Sequence, residues 1–161
     1  MAHIDQIRRP AKGYFGVAMY APKIESNVAA MCRSSLNFGA QFICIIGARY
    51  RRMLPDTPKA YQHIPLFHYA DVRDFMSSRP KGCDVIMVEQ TEAAVPLTQY
   101  EHPDRVIYLL GSEDNGFSPD WFEYKPRIRQ ICVPTDGCLN VATTGAIVLY
   151  DRCLKNEAAM A

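Results

Sequence analysis

The sequence predicts an α/β fold, with a mostly parallel sheet covered by helices on both faces. Three observations point to it. Short continuous apolar runs, FICIIG (42–47), CDVIMVEQ (83–90) and RVIYLLG (105–111), read as strands buried on both sides. Helix-like segments alternate with them, as they do when parallel strands are joined by crossovers. The 161 residues, 48% apolar and 22% charged, suit a single soluble domain spanning 1–161 with one core.

The elements follow in order. GYFGVAMY (13–20) is aromatic and β-branched with glycine breaks, and reads as the first strand. SNVAAMCRSSLNFGA (26–40) reads as a helix with Ser26 as its cap and Gly39 as its stop. After the 42–47 strand, ARYRRMLPDTPKAYQHIP (48–65) carries three prolines and reads as a long loop. DVRDFMSSR (71–79) is a short helix before the 83–90 strand, and AVPLTQYEHP is a connection. SPDWFEY (118–124) follows the 105–111 strand as a short helix, with Ser118 capping and Pro119 in its first turn. RQICVP (129–134) is the last strand. NVATTGAIVLYDRCLKNEA (140–158) is a final helix, apolar nearly all round in its first half, which must bury more than one side.

Several function classes are disfavoured. Net charge is +1, so any nucleic-acid surface must be local. The longest apolar stretches are too short to cross a bilayer. Six cysteines lack C-x-x-C spacing and the start, MAHIDQIRRP, has no signal-like core, so a reduced, cytoplasmic setting is expected. The four histidines are dispersed and no metal is expected. Neither G-x-x-x-x-G-K-[ST] nor G-x-G-x-x-G is present.

Ligands of such sheets lie beyond the carboxyl ends of the strands. Two glycine-bearing loops fall there, LLGSEDNGFS (109–118) and VPTDGCLN (133–140). By itself the former reads first as a simple turn, since Asn115-Gly116 is a strong turn dipeptide; a loop whose backbone closely approaches a ligand is the second reading.

The order of motifs carries more. SNVAAMCRSSLNFGA matches N-x-G-x-x-x-R-[TS]-x-x-x-F-G-A at Asn27, Arg33, Phe38, Gly39 and Ala40. LLGSEDNGFS matches F-G-x-E-x-x-G-[LF] at Gly111, Glu113 and Gly116, and VPTDGCLNVATTGAIVLYD matches I-P-…-S-L-N-V-[SA] at Pro134, Leu139, Asn140 and Val141. The ordered set resembles the SPOUT superfamily in its SpoU (TrmH-like) branch of RNA ribose 2′-O-methyltransferases. Cys138 stands where that family has serine, and the 134–140 span is about three residues shorter than in common members.

The resemblance implies a C-terminal deep trefoil knot over about 104–155, S-adenosyl-L-methionine as cofactor, a homodimer, and RNA as substrate, tRNA rather than rRNA. It implies catalytic roles for Arg33, Glu113 and Asn140. Cofactor contacts are implied at Glu89, Leu110, Gly111, Gly116, Val133, Cys138 and Leu139. RNA contacts are expected at Asn27, Arg33, and the Arg49, Arg51 and Arg52 cluster, with Lys125, Arg127 and Arg129 as a weaker patch. Each residue has a plainer role open to it. Arg33 can be a surface ion-pair partner, Asn140 a helix cap, Glu113 a complement to the start of the helix near Ser118, and Cys138 a small buried filler. A binding protein without catalysis is the alternative. All of this requires the 110–116 and 133–140 loops to form one cleft.

Overall fold

The computed structural model describes residues 13–47, 62–121 and 123–158. The expected Arg49, Arg51 and Arg52 cluster lies outside these residues. Seven strands form one sheet: β1 (Tyr14–Tyr20), β2 (Phe42–Ile46), β3 (Leu66–Tyr69), β4 (Asp84–Val88), β5 (Val95–Pro96), β6 (Arg105–Leu110) and β7 (Arg129–Cys132). The order is β3-β2-β1-β6-β4-β7-β5 and every pairing is parallel. Among the described residues, three α-helices, α1 (Glu25–Asn37), α2 (Val72–Ser78) and α3 (Val141–Ala158), join them.

Alternation along the strands fills two cores. Phe15, Val17 and Met19 of β1, with Tyr108 and Leu110 of β6, face one layer, which includes Val28 and Met31 of α1 and Val148 and Leu149 of α3. Ala18, Met87, Ile107 and Leu109 face the other, with Phe75 of α2 and the fully buried Trp121. Helices therefore cover both faces, as expected. α1, α3 and β6 meet closely at Gly145, where an added Cβ would lie 2.4 Å from the Met31 sulfur.

Some local expectations fail. β3 runs through LFHY, next to the expected loop; it is an edge strand whose Phe67 and His68 are exposed, so no buried run marks it. Ser26 does not cap α1. The N-cap is Ile24, with no side-chain bond. The segment after Ser118 is a single 3-10 turn, Pro119–Trp121, and the Ser118 hydroxyl bonds Tyr20 and Asp120 rather than a helix amide. Within the single chain α3 leaves Tyr150 58% and Leu154 51% exposed, so core burial covers one side and a subunit interface remains the other answer. Among the described residues, no helix is long and apolar enough to cross a membrane.

The strand order positions the site. β6 and β7 flank β4, so the loops leaving their carboxyl ends start two strand spacings apart, roughly 10 Å. The end of β4 lies between them.

Candidate functional site

The loop after β6 is closed by two backbone bonds: Ser112 N–H donates to Gly116 O (2.9 Å) and Gly116 N–H to Ser112 O (3.0 Å). Gly116 takes φ +60°, and a Cβ there would lie 3.0 Å from Glu89 Oε1. At Gly111 a Cβ would come within 3.1 Å of the Gly116 backbone, so any side chain there would push the loop aside. The loop after β7 is fastened to β4 by Gln90, whose amide donates to the Thr135 carbonyl (3.0 Å) and hydroxyl (2.9 Å).

Between the loops lies a cavity of about 470 Å³, a size usual for small-molecule sites. Its floor is apolar, with Val88, Leu110, Val133 and Val141; its polar wall carries Glu89, Gln90, Glu113, Thr135, Asn140 and Thr144. Every residue expected to touch cofactor lines it: Glu89, Leu110, Gly111, Gly116, Val133, Cys138 and Leu139. The two loops thus share one cleft. Cys138 is exposed, which removes its reading as a buried filler.

A chain of side-chain amides crosses the cleft. The Asn140 side-chain oxygen Oδ1 accepts from Ala142 N–H (2.9 Å) and Thr143 N–H (3.2 Å), capping α3. Its NH₂ donates to Asn27 Oδ1 (2.9 Å). The Asn27 NH₂ donates to Glu113 Oε1 (3.1 Å). Glu113 also accepts from Lys23 N–H (3.2 Å) and Ile24 N–H (3.4 Å). Burial alone would raise its carboxyl. Bonds from Asn27 and from the backbone of Glu113, Lys23 and Ile24 outweigh that and hold it below its ordinary value. Glu113 is therefore a fixed anion at the start of α1, reaching Asn140 through Asn27, rather than a complement to a helix starting near Ser118. Glu89 differs: burial raises its carboxyl, against the pull of Lys125.

The remaining expected residues divide: Asn27 stays at the cavity and Arg33 does not. Asn27 is only 8% exposed and both ends of its amide are bonded within the chain, which does not suit it to grip RNA. Arg33 is exposed on α1 and does not line the cavity. It lies six residues along the helix from Asn27, about 9 Å of rise. Arg129 pairs with Asp84 (3.2 Å) near the strand starts, so it shares no patch with Lys125.

Sequence reasoning missed Lys23, Ile24, Gln90 and Thr135. Lys23 and Ile24 serve the network through backbone N–H groups, for which no side-chain type is a signal. The distance from Gln90 to Thr135 along the chain hides their bond.

A parallel sheet with one mixed polar and apolar cleft at its carboxyl edge defines a small-molecule-binding α/β protein. The chain belongs to the SpoU rRNA Methylase family, whose model matches residues 14–150. It is 26% identical over 140 residues, 78% of its length, to the tRNA (guanosine(18)-2′-O)-methyltransferase TARBP1 of Mus musculus, and spans 8% of that protein. In fold it is similar to an AdoMet-bound rRNA methyltransferase from Sinorhizobium meliloti (TM-score 0.76, 21% identity, 91% of this chain and 58% of that one). A second neighbour, from structural work on 2-OH methylation of C/U34 on tRNA, has TM-score 0.72 and 18% identity. That likeness covers 98% of this chain and 99% of the other.

Proposed function

We propose that the chain transfers a methyl group from S-adenosyl-L-methionine to a ribose 2′-hydroxyl of RNA, tRNA in preference to rRNA. One observation carries the reading: the three sequence blocks, far apart in the chain, meet at a single cavity through the Glu113–Asn27–Asn140 bonds. The AdoMet-bound neighbour supports the cofactor, and the tRNA-directed relatives support the substrate.

The lining suits that cofactor. Glycines at 111 and 116 leave backbone where side chains would fill the crossing, and apolar walls beside Glu89 fit an adenosine. The backbones near Leu110, Gly111, Val133, Cys138 and Leu139 would hold the adenosine and methionine parts, and Glu89 would border the ribose. When bound, the cofactor supplies an already electrophilic methyl group. The protein's task is to place the hydroxyl oxygen in line and let its proton leave to solvent. Glu113 and Asn140 keep the pocket in shape. A guanidinium stays protonated, so Arg33 acts by binding the neighbouring phosphate and favouring the developing alkoxide.

The chain works as a homodimer. Tyr150 and Leu154 leave an apolar strip on α3, beside Phe38 of α1, that a second copy would cover. Arg33 on α1 then meets RNA held across both chains. The carboxyl-terminal part, about 104–155, forms the deep knot, a path consistent with β6 inserted between β1 and β4. The position of Arg33 away from the cavity favours one other reading, a nucleotide or RNA binder without transfer. Incubation with labelled S-adenosyl-L-methionine and bulk tRNA, followed by nucleoside mapping, separates the two. Label in a 2′-O-methylated nucleoside is expected; cofactor binding without any transfer would establish the binder.

A further inference from the structure

Ile24 breaks a local rule. It is the N-cap of α1, a position where Ser, Thr, Asp or Asn stabilises a helix and isoleucine is among the poorest choices. Its side chain caps nothing and is 47% exposed. Its backbone is nonetheless fixed, because Ile24 N–H and Lys23 N–H both donate to Glu113. The side chain lines the cavity. A second exposed apolar side chain, Leu139 at 40%, lines it from the other loop. Solitary exposed apolar residues need no explanation. Two of them, on separate segments of one pocket, one retained at a cost to helix capping, do need one.

Building on the reading above, we propose that Ile24, with Leu139, forms an apolar clamp at the pocket mouth that receives the base of an unpaired target nucleotide turned out of its stack. The residues that would hold the methyl donor form a recessed floor: Leu110 is 1% exposed, and Gly111 is closed against the Gly116 backbone. A ribose within a duplex stays out of reach of such a floor, and an extruded nucleotide does not. Extruded bases are commonly held between apolar or aromatic side chains, which accept any base because each has a flat face. Ile24 is thus a determinant of substrate state, selecting unpaired over paired RNA rather than one base over another.

The test compares wild type with Ile24→Ser and Ile24→Phe on a tRNA transcript whose methylated position has been mapped. Ile24→Ser supplies a better cap, so its melting temperature rises. KM for RNA rises roughly tenfold, a larger change than any in cofactor affinity read by calorimetry. Ile24→Phe restores the KM. An oligonucleotide that pairs with the target position abolishes transfer by wild type. The proposal is overturned if Ile24→Ser keeps its RNA KM within about twofold of wild type, or if pairing the target leaves the rate unchanged. Failure of the wild type to methylate any RNA would instead overturn the functional reading beneath it.

Discussion

Replacing Asn27 by alanine tests the bonds that join the three motifs. The substitution removes two hydrogen bonds, Asn27 NH₂ to Glu113 (3.1 Å) and Asn140 NH₂ to Asn27 (2.9 Å). A bond to a charged acceptor contributes about 1.5–3 kcal/mol and a neutral one about 1 kcal/mol. Water from the open cleft can reach the half-exposed Glu113 and recovers part of this, so a loss of about 2–3 kcal/mol in unfolding free energy follows. Asn27 also supplies the largest of the interactions that lower the Glu113 carboxyl, so that carboxyl should titrate at higher pH in the variant. Asn27→Asp keeps the shape but sets a second carboxylate against Glu113, and should be worse than alanine near neutral pH. Urea unfolding measures the stability, and carboxyl NMR measures the Glu113 titration. A stability loss under about 0.5 kcal/mol, the scale of an ordinary surface change, together with an unmoved Glu113 titration, would refute the reasoning.

Other consequences can be checked in parallel. Arg33→Ala should retain cofactor affinity and lose methyl transfer; undiminished transfer would remove Arg33 from the chemistry. Glu89→Gln should stabilise the cofactor-free protein near neutral pH, since burial raises that carboxyl and its ionised form is what folding penalises; it should also weaken cofactor binding. Tyr150→Glu should shift the protein from dimer to monomer by sedimentation, because it places charge on the exposed strip of α3. His102 gives a pH dependence. Its Nδ1 faces the Tyr108 hydroxyl (2.6 Å) and its Nε2 faces Asp151 (2.8 Å), with Arg152 and Lys155 of α3 close by. Burial lowers its pKa, against the pull of Asp151. The unfolded chain therefore takes up the proton first. Stability should be fully present above about pH 6.5 and decline as pH falls from there toward the folded value. His102→Gln should flatten that decline in urea midpoints.

The sheet was legible where burial is two-sided. FICII of β2 and VIYLL of β6 are uninterrupted apolar runs because both faces of those strands are covered. β3 was not, because an edge strand with Phe67 and His68 exposed has no such run. The cleft was legible through Gly111, Gly116, Glu113 and Asn140, whose residue types answer to close backbone approach, an anionic acceptor and a helix cap. Its supports were not. The Lys23 and Ile24 amides belong to backbone that any residue could supply, and they reach Glu113 across about ninety residues. The separation of Asn27 from RNA contact depended on partners found only once α1 and α3 are packed together.

The central claim is that the loops after β6 and β7 together hold the methyl donor, and Gly111, closed against the Gly116 backbone of its own loop, lines the cavity they share. Titration calorimetry with S-adenosyl-L-methionine should show one site per chain in the wild type and no measurable binding in Gly111→Trp. Equal affinity in the two proteins, or no heat from a folded wild type, would contradict it.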